Sequence, residues 1–427
     1  MTNAAGVADV AVIGLGYIGL PTAAVLARAG LDVIGVDRLR ERVEAVNRGE
    51  LPFLEDGLAT VLAEQVDAGR LRAQTVTPSA RTYVIAVPTP LTREGNTADL
   101  SLVEAATRQI APCLTGDELI VLESTCPPGT TRALAEALIS MRPDLSLDGS
   151  GGRRRVHVAH CPERVLPGRI MTEMVTNSRV IGGLTPEASH QARDLYATFC
   201  RGELVLTDAT TAEMTKLTEN SFRDLNIAFA NELALVCDRA GVDVWELIDL
   251  ANRHPRVSIL HPGPGVGGHC IAVDPWFLVS SAPEETRLIR TARQVNDSRP
   301  AYYVGRILQT VEGLVSPTVA VLGLTFKADV DDLRQSPALA ITEQVAAGAP
   351  HAQVLVAEPR ADALPPSLAR WANVRLTGCR QAVERADVVV VLVSHQEFSD
   401  LDPLLLKGRT VIDATGLWSR RSPRLAG

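Results

Sequence analysis

Ala8-Asp9-Val10-Ala11-Val12-Ile13-Gly14-Leu15-Gly16-Tyr17-Ile18-Gly19-Leu20-Pro21 is the stretch that decides the fold. The run Ala8–Ile13 reads as a short buried strand. It passes into Gly14-x-Gly16-x-x-Gly19 and then into helical spacing over Pro21–Ala29. Glycines there allow a tight turn and let a pyrophosphate reach a helix N-terminus. Alone, the turn is a weak signal. A second strand pattern, Val33–Val36, ends at Asp37. A carboxylate at that place bonds a ribose 2′-hydroxyl and repels a 2′-phosphate, so the combination points to NAD. Arg38 is the feature that could admit NADP.

Further strand patterns follow at Tyr83–Val87, Leu119–Glu123 and Val156–Ala159, with helical spacing over Leu100–Cys113. Such alternation predicts a parallel, doubly wound sheet. Val87-Pro88-Thr89-Pro90 and Glu123–Thr130 follow strand patterns. Ligands of open sheets bind at strand ends, so Thr89 and Thr125 are candidates to face the cofactor. Plain Pro-rich turns are the alternative. Asp148–Arg155, rich in Gly and Arg, reads as an exposed loop.

The middle of the chain is helical. Thr210 and Glu213 form a capping box that starts a helix running to about Ala240 and stopping at Gly241. Glu284–Gly313 reads as a second long helix that Pro300 should kink or divide. Strand patterns return at Thr318–Leu322, Gln353–Val356, Val388–Val393 and Thr410–Ile412, without a second G-x-G-x-x-G. The fold class is therefore α/β. It comprises an N-terminal Rossmann-type dinucleotide-binding domain (1–208), a central helical domain (209–314) and a C-terminal Rossmann-like α/β domain (315–427).

The 427 residues are 46% hydrophobic and 22% charged, an ordinary globular balance. The net charge of −8 argues against a nucleic-acid partner but not against a phosphorylated small molecule. Met1–Ala8 has no basic n-region, and no apolar run approaches the roughly 20 residues of a membrane span. A cytoplasmic protein with no membrane partner is expected. The seven cysteines are irregularly spaced and read as reduced thiols, with no metal site.

Two constellations carry chemistry. Lys216, Asn220 and Arg223 are four and three apart, on one helix face. Met214, Leu217, Phe222, Leu225, Ile227 and Phe229 around them predict a largely buried helix, with a solvated polar face as the alternative. A partly buried lysine there can act as acid/base or stabilise an oxyanion. The second runs Pro262-Gly263-Pro264-Gly265-Val266-Gly267-Gly268-His269-Cys270, with Asp274 four residues on. Its glycines let backbone wrap a ligand. A thiolate at Cys270 can capture an aldehyde as a thiohemiacetal, whose oxidation gives a hydrolysable thioester. A buried structural cysteine is the alternative, and Cys126 and Cys161 are rivals.

Gly14–Leu20, Glu123–Thr131, Cys161–Gly168, Glu213–Asn231, Gly267–Asp274 and Phe326–Pro337 together resemble the UDP-glucose/UDP-mannuronic-acid dehydrogenase family, in order and over essentially the whole chain. Cys161–Gly168, His254–Val257 and Gly268–Phe277 are most similar to its UDP-N-acetyl-D-mannosamine branch. The resemblance implies oxidation of a UDP-sugar C6 hydroxymethyl to a carboxylate with NAD. UDP-N-acetyl-D-mannosamine would be the substrate, with the N-acetylglucosamine, N-acetylgalactosamine and glucose sugars as alternatives. Cys270 would be the nucleophile; Lys216, Asn220 and Asp274 would position water and stabilise oxyanions. Glu163 would be the base for thioester hydrolysis. Tyr17, Ile18, Asp37, Arg42, Thr89, Thr125 and Arg334 would contact NAD beside the glycine turn. Arg164, Val165, Arg223, His254, Arg256, Gly267, Phe326 and Lys327 would contact the UDP-sugar, Arg256 from the partner of a homodimer. A two-electron β-hydroxy-acid dehydrogenase has no use for Cys270 or a second α/β domain. A non-catalytic NAD-sensing scaffold has no need of Lys216, Cys270 and Asp274.

Overall fold

The computed structural model describes residues 6–53, 55–92, 96–166 and 168–418. Pro167 and the first five residues, which fall in stretches read above, lie outside them. The chain forms two compact units: Met1–Glu219 with Trp276–Pro283, and Asn220–Pro275 with Glu284–Gly427.

The first unit is built on an 8-stranded sheet. Its strands are β1 (Ala8–Ile13), β2 (Val33–Val36), β3 (Leu71–Gln74), β4 (Ala80–Ile85), β5 (Leu119–Leu122), β8 (His157–His160), β9 (Arg179–Gly183) and β10 (Leu204–Asp208). The order is β10-β9-β8-β5-β4-β1-β2-β3. All pairings are parallel except β8 with β9. A two-stranded ribbon, β6 (Leu145–Ser146) with β7 (Arg154–Arg155), lies apart. The Asp148–Arg155 segment is thus exposed as expected but ends in a paired strand.

Helices α1 (Gly19–Arg28), α2 (Arg40–Asn47), α3 (Leu58–Asp67), α4 (Ser101–Ile110), α5 (Thr130–Met141), α6 (Ile170–Thr176) and α7 (Pro186–Ala197) belong to this unit. α1 is buried from Gly19 to Ala27, because its small and aliphatic residues pack on Val10, Val12 and Val33. β1, β2 and β5 are aliphatic and buried along almost their whole length because both faces of a parallel sheet are covered.

Two helices run through the unit boundary, α8 (Ala209–Ala240) and α10 (Asp274–Ser281). The second unit adds α9 (Val244–Ala251), α11 (Arg287–Val311) and a 5-stranded parallel sheet. The sheet order is β13 (Val374–Leu376), β12 (Gln353–Ala357), β11 (Thr318–Leu322), β14 (Val388–Val391), β15 (Thr410–Asp413). α12 (Pro337–Gly348), α13 (Pro366–Ala369), α14 (Cys379–Arg385) and α15 (Gln396–Ser399) complete it.

Three sequence expectations are corrected. Glu213 is not half of a capping box. Asp208 caps α8 by accepting from the Thr211 N–H at 3.0 Å, while Glu213 accepts from Gly129 N at 2.6 Å and Thr131 N at 2.7 Å. Its carboxylate therefore caps α5, where it also complements the helix dipole. Pro300 does not divide α11, which is a single helix. Finally, the apolar residues of α8 are divided: Leu217, Ala228 and Ala230 are buried, but the aromatic ones are not. Phe222, Phe229 and Met214 are exposed, whereas Glu213, Asn220, Asp224 and Asn231 are buried.

That polar stripe is tolerated because each member has a partner. Asp224 accepts from Arg293 at 2.6 Å, and Asn231 donates to Asn296 at 2.8 Å. Arg293 is 1% exposed. A buried ion pair of this kind is strongly destabilising to break because one charge is left uncompensated.

Candidate active site

The glycine turn has the geometry of a dinucleotide cradle. Gly14 has a φ of +97°, and a Cβ on Gly19 would stand 1.8 Å from the Gly14 carbonyl oxygen. Neither place admits a side chain. No side chain caps the N-terminus of α1, and its first turn carries no acid. That end can therefore receive a pyrophosphate.

Asp37 is 6% exposed at the end of β2. Its Oδ2 accepts from Leu15 N at 3.0 Å and Arg42 at 2.9 Å, and its Oδ1 from Leu39 N at 3.0 Å. A carboxylate has about four acceptor positions, so about one remains for a ribose hydroxyl. These residues fit NAD. Arg42 holds the acid. Tyr17 stacks on Phe53 with ring centroids 4.2 Å apart, beside Ile18. Thr89 and Thr125 are brought together by a hydrogen bond from the Thr89 hydroxyl to the Thr125 carbonyl at 2.6 Å.

Glu163 and Arg164 follow β8. Glu163 is 8% exposed; its Oε2 accepts from Arg179 at 3.0 Å and its Oε1 from the Arg164 N–H at 2.7 Å. Arg164 pairs with Glu219 at 2.5 Å, and Val165 is half-buried. Arg179 also lies 3.7 Å from Glu123, which accepts from Tyr196 and Thr22 at 3.0 Å each. Burial, then the charge of Glu163, pushes the Glu123 carboxyl up to about 7, against the pull of Arg179. No local pattern announces this cluster, because Thr22, Glu123, Glu163, Arg179 and Tyr196 come from segments far apart in the chain.

The thiol candidates separate clearly. Cys161 is buried and its thiol is pushed up to about 12 by that burial. Cys126 is buried as well, with its thiol 3.9 Å from the Glu213 carboxylate. Cys270 is exposed. Beside it, burial first and Arg334 next pull the His269 imidazole below its usual value, against Asp332 at 3.9 Å. His269 is thus neutral at neutral pH. Cys126, His160 and Glu213 converge to within 4.8 Å. Both Glu213 oxygens are already taken by the α5 cap, so the donor set fits a hydrogen-bonded cap rather than an ion.

The glycine-rich approach to Cys270 is anchored at Gly263, whose N–H donates to Asn231 at 2.9 Å and whose carbonyl accepts from the buried Arg299 at 3.3 Å. Gly267 and Gly268 lie directly against Phe326, and a Cβ on Gly268 would come within 2.8 Å of its ring. Cys270 is followed by Asp274, which is 2% exposed and accepts from Asn220 at 2.5 Å. Asn220 is buried, Lys216 half-buried and Arg223 exposed on the same helix.

Pro264, Gly265, Phe326, Lys327, Ser394 and Thr415 line a cavity of about 170 Å³. Arg334 is held in two contacts by Asp332, at 2.9 and 2.7 Å. His254 and Arg256 are exposed in the turn after α9, where His254 accepts from the Arg256 N–H at 3.3 Å.

The UDP-glucose/GDP-mannose dehydrogenase family matches in three parts: its NAD binding domain over 8–200, its central domain over 210–298 and its UDP binding domain over 320–420. A Ralstonia nicotianae protein named NDP-N-acetyl-D-galactosaminuronic acid dehydrogenase is 52% identical, over 96% of each chain. The UDP-N-acetyl-D-mannosamine dehydrogenase of Escherichia coli is 49% identical, over 96% of this chain and 99% of that one. The solved UDP-D-ManNAc dehydrogenase of Pyrococcus horikoshii superposes with a TM-score of 0.85 at 39% identity, covering 96% of each.

Proposed function

The chain belongs to the UDP-glucose/GDP-mannose dehydrogenase family, as an NAD-dependent enzyme acting on a UDP-sugar, and from that membership we propose the reaction, the substrate and the residue roles. The substrate is UDP-N-acetyl-D-mannosamine, oxidised at C6 from hydroxymethyl to carboxylate. The observation that carries this reading is the exposure of Cys270 at the end of a glycine-wrapped loop against Phe326, while Cys126 and Cys161 are buried.

NAD supplies the hydride acceptor for each of the two oxidations. The thiolate of Cys270 adds to the C6 aldehyde and holds it as a thiohemiacetal, so the aldehyde is never released. After the second oxidation the thioester is attacked by water; Glu163 takes the water proton and the thiolate leaves with the C–S bond electrons. Asp274 and Asn220, already bonded, orient water, and Lys216 stabilises the oxyanions. Arg164, Val165, Arg223, Gly267, Phe326 and Lys327 hold the UDP-sugar, with His254 and Arg256 offering donors to an acetamido carbonyl.

The domains 1–208, 209–314 and 315–427 serve cofactor, dimer and nucleotide in turn. Phe222, Phe229 and Val236, spaced seven apart on α8, are 64%, 49% and 61% exposed. They form an apolar face suited to a second copy of the chain, and sedimentation of Phe229→Asp as a monomer checks the homodimer. No described helix is long and apolar enough to cross a membrane. Use of NAD and a UDP-sugar fits a cytoplasmic enzyme.

A panel of UDP-sugars followed by NADH absorbance tests the substrate. The expected result is two NADH per UDP-N-acetyl-D-mannosamine, with UDP-glucose poor. Mismatched polar groups cost about 1–3 kcal/mol each, which is about 5- to 150-fold in kcat/KM. The 52%-identical relative makes UDP-N-acetyl-D-galactosamine the second reading. Preference for UDP-glucose over every N-acetylated sugar would refute the assignment. Full activity in Cys270→Ala would refute the nucleophile.

A further inference from the structure

We propose that His395 is a positioning residue for nucleotide binding, pinning the Thr325–Asp329 loop to the opposite wall of the cavity through both of its ring nitrogens. The proposal rests on the reading of Phe326 and Lys327 as nucleotide contacts.

His395 is wholly buried, immediately after Ser394, which lines the cavity. Its Nδ1 accepts from the Asp329 backbone N–H at 3.1 Å. The ring proton therefore sits on Nε2, which lies 3.2 Å from the Thr325 hydroxyl oxygen and 3.3 Å from the Glu358 Oε2. The Thr325 hydroxyl donates its own proton to the Lys327 carbonyl at 2.8 Å, so toward His395 it can only accept. One imidazole thus fixes the two ends of the segment that carries Phe326 and Lys327.

The segment requires holding. Asp329 has a φ of +61°, a conformation that non-glycine residues occupy sparingly. Its Oδ1 accepts from the Gln396 N–H at 3.0 Å, so the residue next to His395 reinforces the same clasp. Glu358 is not free to move away, since its carboxylate also takes the N–H groups of Leu324 at 2.6 Å and Arg360 at 3.0 Å. The cavity's two walls, Thr325–Ala328 and Leu392–Ser394, are joined at this point. A loop fixed before the ligand arrives loses less freedom on binding, and affinity rises accordingly.

The test is UDP affinity by calorimetry on the full chain, with NAD+ affinity measured in parallel. His395→Phe keeps an aromatic ring but removes both bonds, and should weaken UDP about 10-fold or more. The KM for the UDP-sugar should rise with it, kcat should change little, and NAD+ binding should be unaltered. His395→Asn restores an acceptor near the Nδ1 place and should recover part of the loss. Thr325→Val, nearly isosteric, carries the test by the same readout should the histidine variants not fold. UDP affinity within about 2-fold of the parent in His395→Phe or Thr325→Val, with Lys327→Ala still weakening UDP, would overturn this inference alone. UDP binding indifferent to Lys327→Ala would sink the nucleotide-site reading, and the inference with it.

Discussion

The two sheets begin with the same turn and use it differently. In the first, Gly14 N–H donates to Val36 O at 2.8 Å, and Leu15 N–H to Asp37 at the end of β2. In the second, Gly323 N–H donates to Ala357 O at 2.9 Å, and Leu324 N–H to Glu358 just past the end of β12. Strand, glycine, apolar residue and buried acid correspond one to one. What differs is the path to the next helix. Only Gly14–Ile18 separate β1 from α1, so an uncapped helix end faces the turn. Between β11 and α12 the chain runs from Gly323 to Ser336, and Ser336 caps α12 with its own side chain. The acid follows suit. Asp37 retains an acceptor position for a ligand, whereas Glu358 is committed to its own loop and to His395. One architecture yields a dinucleotide cradle where the loop is short and a loop-built pocket where it is long.

The comparison breaks most visibly at Gly19. Gly19→Ala would drive a methyl group into the Gly14 carbonyl, so NAD+ binding should fall below detection by calorimetry while UDP binding persists. Retention of NAD+ affinity within about 3-fold would show that the turn is not the cradle.

A smaller effect is expected at Asp37. Asp37→Asn keeps an acceptor but loses the charge that repels a 2′-phosphate. The NAD+ over NADP+ preference in kcat/KM should fall by about 10-fold or more. Equal use of both cofactors by the unmodified protein would mean that Arg38 or Arg42 overrides the acid.

The smallest effect is on stability, and it has opposite sign in the two halves. Glu123, raised to about 7 from an ordinary 4.5, binds a proton in the folded state that the unfolded chain has released. Between those values the native state holds more protons, so stability falls as pH rises. For Glu358 the cost of burial is outweighed by hydrogen bonds from His395 and backbone N–H groups, and its carboxyl lies below 4.5. Its contribution is present above that value and is lost as pH falls through the folded one. Hydrogen exchange of β5 and β12 peptides from about pH 3 to 8 should show protection near Glu123 weakening upward between about 4.5 and 7, and near Glu358 weakening downward below about 4.5. Glu123→Gln should flatten the first trend, and an unchanged slope would mean the proton resides elsewhere in the cluster.

Local pattern was enough for much of this protein. Ala8–Ile13, Val33–Val36 and Thr318–Leu322 form strands over the spans read from sequence, because short runs rich in β-branched residues and closed by a turn residue have few other uses. The family and the NAD-binding domain were legible for the same reason, since a glycine turn followed by an acid is written in consecutive residues. Polar strands were harder. Arg179–Gly183 and Leu204–Asp208 extend the first sheet with apolar runs of only two and three residues, Val180-Ile181 and Leu204-Val205-Leu206, too short to announce a strand.

What only the tertiary structure decided is where charges end up. The pattern rule assigned α8 an apolar buried face, yet it buries Asp224 and Asn231 and exposes Phe222 and Phe229. Glu213 sits at capping-box spacing and caps a different helix. Asp224 meets Arg293, and Glu358 meets His395, across separations that no window of sequence contains. Apolar burial is set by residue type and period, which each segment carries in itself. A buried polar group is tolerable only with a partner, and the partner is chosen by the fold.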